Sequence, residues 1–105
     1  MAIAKTVMCV LLAASGVAGA AEHLVEQKDR KFSSPYLTIH PSDSIRFTNK
    51  DDIVHNVVST TSGNEFNLGV FRPGMSQVIE FHELGAVDVE CTIHPNMRMS
   101  VFIFK

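Results

Sequence analysis

The chain has 105 residues, 46% of them hydrophobic and 19% charged, with a net charge of −2. A chain of this size holds one core, and the composition is globular rather than disordered. There is no basic excess of the kind a nucleic-acid binder shows, and no G-x-G-x-x-G or P-loop string to open a nucleotide-binding βαβ unit.

The first predicted element is a leader. Lys5 is the only charged residue before Glu22, residues 6–17 read TVMCVLLAASGV, and Ala18-Gly19-Ala20 follows as a small-x-small cleavage site. A basic start, a short apolar stretch and small residues at the cut make a secretory signal peptide. The apolar run is shorter than the ~20 residues of a membrane-spanning helix, and no charged stop-transfer flank follows it. Cys9 is not a lipid-attachment residue, because Met8 precedes it where a small residue is needed. The expected division is therefore 1–20 signal peptide and 21–105 one domain, exported to the periplasm with no membrane insertion after cleavage. Cleavage leaves 85 residues, a charge of −3 and a single cysteine, Cys91. In an oxidising compartment a lone thiol closes no internal disulfide. A domain this short buries only about 60–65% of its unfolded surface, so it needs a good core, a metal or a partner.

The remainder reads as short strands without a helix. No i, i+3, i+4, i+7 apolar stripe is sustained, whereas short alternating or β-branched runs recur between turn signals. Residues 23–32 are a weak strand, broken by Ser33-Ser34-Pro35, and residues 36–40 follow. After Pro41-Ser42-Asp43, residues 44–49 alternate Ile45 and Phe47 with Arg46 and Thr48. Lys50-Asp51-Asp52 turns the chain into the β-rich residues 53–59. Residues 60–64 are a polar loop, and residues 66–73 read as irregular, punctuated by Gly69 and Pro73-Gly74. Residues 76–81 alternate. Residues 85–91 put Val87, Val89 and Cys91 on one face, and residues 100–105 close the chain. Six to eight evenly spaced strands predict an all-β antiparallel sandwich or barrel. All eight aromatic residues lie in this part, available for one core between two sheets.

The chemistry concentrates in Glu90-Cys91-Thr92-Ile93-His94-Pro95-Asn96-Met97-Arg98-Met99, a loop between two predicted strands. It offers a thiolate, an imidazole and two thioethers, and strand 53–59 offers a second imidazole, His55. Two His nitrogens, a soft charged sulfur and a weak neutral sulfur suit copper: His₂Cys in a plane with a long axial Met is the blue-copper arrangement. Zinc prefers a further strong ligand, and calcium or magnesium wants oxygens. His94 lies three residues after Cys91, so a tight turn returns its ring, and Pro95 stiffens that turn. Taken singly, Cys91 and the methionines could be core fillers, and His55 and His94 satisfied structural histidines. Taken together, with no disulfide partner for Cys91, they predict a metal site. His23, His40 and His82 read as structural or solvated.

With Val54-His55-Asn56-Val57 upstream, the string from Cys91 to Arg98 resembles a cupredoxin of the small amicyanin and plastocyanin type. The resemblance implies a Greek-key β-sandwich (the cupredoxin fold) of eight strands, with one type 1 copper near one end. It implies His55, Cys91 and His94 as equatorial ligands, Asn56 as the residue tying the ligand loops together, and His94 as the electron port. The His-Pro-x-Met-Arg string favours Met97 over Met99 as the axial ligand. Ile93 stands where many relatives carry Pro, and Val87 and Val89 stand where aromatic residues are common. The implied function is one-electron shuttling between Cu(II) and Cu(I), without enzyme activity of its own. The expected protein is a monomer that docks transiently with a donor and an acceptor, such as a dehydrogenase, cytochrome c or a copper oxidase. Phe71, Pro73, Met75 and Pro95 are candidates for an apolar rim around His94. The competing readings are a copper carrier or storage protein, a metal-free secreted binding module, and a Cys–His enzyme. The last lacks an orienting Asn or Asp beside Cys91 and His94.

Overall fold

The computed structural model describes residues 19–105. Residues 1–18, which make up nearly all of the expected signal peptide, lie outside the described residues. Nine strands follow in order: β1 (Glu22–Lys28), β2 (Lys31–Phe32), β3 (Tyr36–Ile39), β4 (Ser44–Asn49), β5 (His55–Ser59), β6 (Phe66–Phe71), β7 (Ser76–Glu80), β8 (Gly85–Glu90) and β9 (Arg98–Ile103). They form two sheets, ordered β2-β1-β4-β7 and β3-β9-β8-β5-β6. Together they make an all-β sandwich, with no helix among the described residues.

The period-2 reading holds where one face is buried. Ile45, Phe47 and Asn49 of β4 point inward, as do Val87 and Val89 of β8 and Met99, Val101 and Ile103 of β9. Phe47 and Phe71 are fully buried. Phe32 meets Phe47 edge-on at 6.1 Å, and Phe66 meets Phe81 at 5.8 Å, the geometry that aromatic quadrupoles favour.

Three strand expectations are corrected. The weak strand 23–32 is a hairpin, β1 and β2, turned at Asp29 and Arg30, both with positive φ (53° and 57°). Asp tolerates that region better than most residues, but the string carries no Gly to announce the turn. Residues 66–71 form a strand, β6, interrupted by a bulge, where the sequence predicts an irregular segment. Gly69 takes φ +79°, and the β5–β6 register shifts between Asn56 and Val58, so a bulge hides the alternation. The sandwich is also not purely antiparallel: β1 pairs β4 in parallel, and β3 pairs β9 in parallel. After Ser33-Ser34-Pro35 the chain crosses to the other sheet as β3. It returns through residues 40–43, so β1 and β4 meet running the same way.

That return turn is pinned by Asp43. Its Oδ2 accepts from His23 Nε2 (3.0 Å) and from His40 N (3.0 Å), and its Oδ1 accepts from Ala21 N (2.9 Å). The His23 ring, followed by the two backbone donors, holds the Asp43 carboxyl well below the usual carboxylate range against the opposing effect of burial. The folded value is depressed, so this contribution is complete above the unfolded carboxylate value of about 4 and is lost as pH falls below it. Asp43→Asn is expected to lower the denaturation midpoint at neutral pH and to flatten the acid limb. Urea unfolding from pH 7 down to pH 3, followed by circular dichroism, checks both. The other two spared histidines also have structural or surface partners: His40 Nδ1 lies 3.0 Å from the Phe104 carbonyl, and exposed His82 lies 3.1 Å from Glu80.

Candidate metal centre

The turn between β4 and β5 is built around two buried side chains. Asn49 donates from Nδ2 to the carbonyls of Ile53 and Phe71 (2.9 Å each), and its Oδ1 accepts from Asp51 N (2.9 Å). This fixes where β5 begins, and β5 begins at His55. The His55 ring is fully buried. Its Nε2 lies 2.7 Å from Asp51 Oδ2. A carboxylate only accepts, so Nε2 carries the proton and Nδ1 presents a bare lone pair. Asp51 also accepts from the amides of Asp29 and Arg30 (3.0 Å each). Burial pushes the Asp51 carboxyl up, but the Arg30 amide, the His55 ring and the Asp29 amide outweigh it and hold the group at about 2.

The second half of the site is one closed loop. Cys91 N donates to Met97 O (3.0 Å), His94 N to Cys91 O (3.3 Å) and Met97 N to His94 O (2.9 Å). These nested turns return the His94 ring over Cys91 and leave Met97 buried at the start of β9. Asn56 ties this loop to β5: its Nδ2 donates to Thr92 Oγ1 (2.6 Å), and its Oδ1 accepts from Thr92 N (2.7 Å). Its own amide donates to Cys91 Sγ (3.4 Å), which fixes where the sulfur sits.

His55, Cys91 and His94 therefore converge, with donor atoms within 4.8 Å of one another. The two Nδ1 atoms are 3.2 Å apart, and Cys91 Sγ is 3.8 Å from His55 Nδ1 and 3.7 Å from His94 Nδ1. First-row metal bonds of about 2.0–2.1 Å to nitrogen and about 2.3 Å to sulfur, spread at 120° in a plane, place nitrogens about 3.5 Å apart and sulfur about 3.8 Å from each. The triangle fits such an ion closely. The donor set, two imidazoles and one thiolate beside buried methionines, suits copper.

Met97 is 1% exposed and Met99 3%. Met97 lies on the ligand loop, whereas Met99 pairs with Val89 inside the β8–β9 ladder. His94 is half-buried and reaches the surface. Of the four rim candidates, Phe71 is corrected: it is fully buried, opposite His55 in the β5–β6 ladder. Pro73 and Pro95 are exposed and Met75 is half-buried. The exposed side chains of Ile93 and Val54 flank His94 and His55 in sequence and add to the apolar rim candidates. In the sequence Asp51 signals only a turn. A carboxylate four residues before a histidine in a coil has no periodicity to single it out.

The family model of copper binding proteins, plastocyanin/azurin family, matches residues 20–104. A search among curated proteins returned no significant match. Among solved structures, a reduced amicyanin variant aligns with a TM-score of 0.71 at 29% identity, covering 89% of this chain and 90% of its own. A purple cupredoxin from Nitrosopumilus maritimus aligns at 0.70 and 20% identity, covering 78% of this chain and 99% of its own. A copper-containing nitrite reductase from Thermus scotoductus aligns at 0.76 and 20% identity, covering 91% of this chain but 25% of its own; it shares the fold over one quarter of its length. Fold, donor triangle and family model agree on one assignment: the chain belongs to the plastocyanin/azurin family of copper binding proteins, it is a cupredoxin, and its cofactor is copper.

Proposed function

We propose that the chain is a periplasmic type 1 copper protein that passes single electrons between transient protein partners. Residues 1–20 act as its export signal. His55, Cys91, His94 and Met97 are the residues that would hold the ion. When bound, copper supplies a one-electron Cu(II)/Cu(I) couple. The single observation that carries the reading is the triangle of His55, Cys91 and His94 donors, assembled by β5 and one loop.

The protein's own residues favour such a couple. Each donor is held by hydrogen bonds or nested turns that do not depend on the ion: Asp51 on His55, the Asn56 amide on Cys91, and the 91–97 turns on His94. Donors that barely move between oxidation states keep the reorganisation small. His55 and Cys91 are sealed from water, and half-buried His94 reaches the surface. Small, weak docking areas suit a shuttle that must release its partner. The protein has no enzymatic role of its own in this reading.

Titrating the purified protein with Cu(II) tests it. An intense visible band with a stoichiometry of one and a reversible potential supports the shuttle. Colourless, exchangeable binding of Cu(I) alone would make the protein a carrier instead. The axial assignment is tested separately. Met97→Leu is expected to shift the visible band and raise the potential, because the axial sulfur tunes it. Met99→Leu should leave both unchanged and cost less than about 1.5 kcal/mol of stability. The reverse pattern would move the axial role to Met99.

A further inference from the structure

The two ends of the sandwich carry opposite charge. The connections at the His94 end span residues 28–31, 50–54, 72–75 and 91–98. With the adjoining end of β8 they hold six exposed cations, Lys28, Arg30, Lys31, Lys50, Arg72 and Arg98, against four carboxylates, Asp29, Asp51, Asp52 and Glu90. Asp51 is already committed to hydrogen bonds with His55, Asp29 and Arg30. Arg98 is paired with Glu90 (3.1 Å). The other five cations make no ion pair among the described residues. At the opposite end, residues 40–43, 60–65, 80–84 and the two terminal segments carry Glu22, Asp43, Glu65, Glu80 and Glu83 against Lys105.

The separation is large enough to matter. A six-residue strand is about 20 Å long, roughly twice the Debye length of about 8–10 Å at physiological salt. An approaching charge therefore feels the nearer end rather than the molecular total. The chain as a whole is negative, but the surface around His94 is positive. Its centre is apolar, with Ile93, Pro95 and Pro73 exposed, and its cations are interleaved with Asp29 and Asp52. An uninterrupted run of cations would suit a polyphosphate or lipid surface. A mixed ring about an apolar centre suits a folded partner, because complementary rim charges steer encounter and fix orientation.

We propose that the His94 end docks an acidic face of a redox partner protein, steered by Lys28, Arg30, Lys31, Lys50 and Arg72. The proposal rests on the electron-transfer reading above and adds the partner's charge to it.

Small redox probes test the sign of the field. The copper(I) protein is oxidised by hexacyanoferrate(III), an anion, and by tris(phenanthroline)cobalt(III), a cation, over a range of ionic strength. If the His94 end governs the encounter, the hexacyanoferrate rate falls by roughly fivefold between about 0.01 and 0.2 M salt, and the cobalt rate rises. If the net charge governs, both trends reverse and the proposal fails. A Lys50→Glu, Arg72→Glu double variant should lose the anion preference, while a Glu80→Lys, Glu83→Lys variant at the far end should keep it. A second readout needs no electron transfer. Redox-inert hexacyanochromate(III) added to the copper-free protein should broaden amide resonances of residues 28–31, 50 and 72. Broadening spread evenly, or confined to the far end, would overturn the proposal. Failure of the electron-transfer reading would look different: there would be no thiolate band to follow, whatever the broadening showed.

Discussion

Cys91→Ser is expected to remove the intense visible band completely and to weaken copper binding by about 100-fold or more, exceeding the 10–100-fold that loss of a ligand's supporting partner typically costs. The band arises from electron density passing between a thiolate and Cu(II), so a hydroxyl in the same place cannot supply it. The apoprotein should survive the change. Cys91 is fully buried at the end of β8, and its Sγ receives the Asn56 amide at 3.4 Å, a donor a serine oxygen can also accept. The visible spectrum, a competition titration for copper and the thermal midpoint of the copper-free protein separate the two effects. A serine variant that keeps the band would remove the sulfur from the site. The holoprotein should also melt above the copper-free form, because an ion that binds only the folded chain stabilises it in proportion to the logarithm of its concentration over Kd. The gain should nearly vanish in Cys91→Ser.

The donor triangle was legible in the sequence because its chemistry is local and unusual. Cys91, His94 and Met97 sit in one short loop, and the expected removal of residues 1–20 would leave Cys91 without a disulfide partner to explain it. The strand phase supplied the rest: Val87 and Val89 face inward, so Cys91 does too. His55 was reachable only through its β-rich segment and the resemblance, since nothing in spacing alone says that β5 lies beside the 91–97 loop. The turn at Asp29 and Arg30 was hidden because neither residue is Gly, and β6 because a bulge offset its alternation. The parallel pairings were out of reach for a different reason. They depend on which sheet a segment joins after Ser33-Ser34-Pro35, and the alternation within a strand does not say which sheet it joins. The charge separation was invisible in a net value of −2. It appears only when the turns are sorted by the end of the sandwich they occupy.

Asp51→Asn is expected to raise the reduction potential by about 100 mV. The Asp51 carboxylate stands on the far side of the His55 ring from the donor triangle, 2.7 Å from Nε2. A full negative charge there stabilises the more positive oxidation state. At an effective dielectric of about 20, one charge across an imidazole is worth about 2 kcal/mol, and 2.3 kcal/mol corresponds to about 100 mV per elementary charge. The same substitution should destabilise the fold by about 2–4 kcal/mol, because hydrogen bonds to a charged acceptor are each worth about 1.5–3 kcal/mol and an amide offers one oxygen where the carboxylate offers two. Asp51 Oδ1 accepts from Asp29 and Oδ2 from Arg30 and His55, so one carboxylate anchors both the β1–β2 turn and a residue of the donor triangle. Exposed Asp52 makes no such contacts among the described residues and serves as the control: Asp52→Asn should change the potential by much less and leave stability within about 0.5 kcal/mol. Voltammetry of both variants, alongside urea unfolding of their copper-free forms, separates field from fold. An Asp51→Asn protein that is destabilised but keeps its potential would show the carboxylate to be a clamp on the β1–β2 turn alone. A raised potential with little loss of stability would show the opposite. The expectation here is that both change together, because the hydrogen bonds that orient the ring are made to the same charge that tunes it.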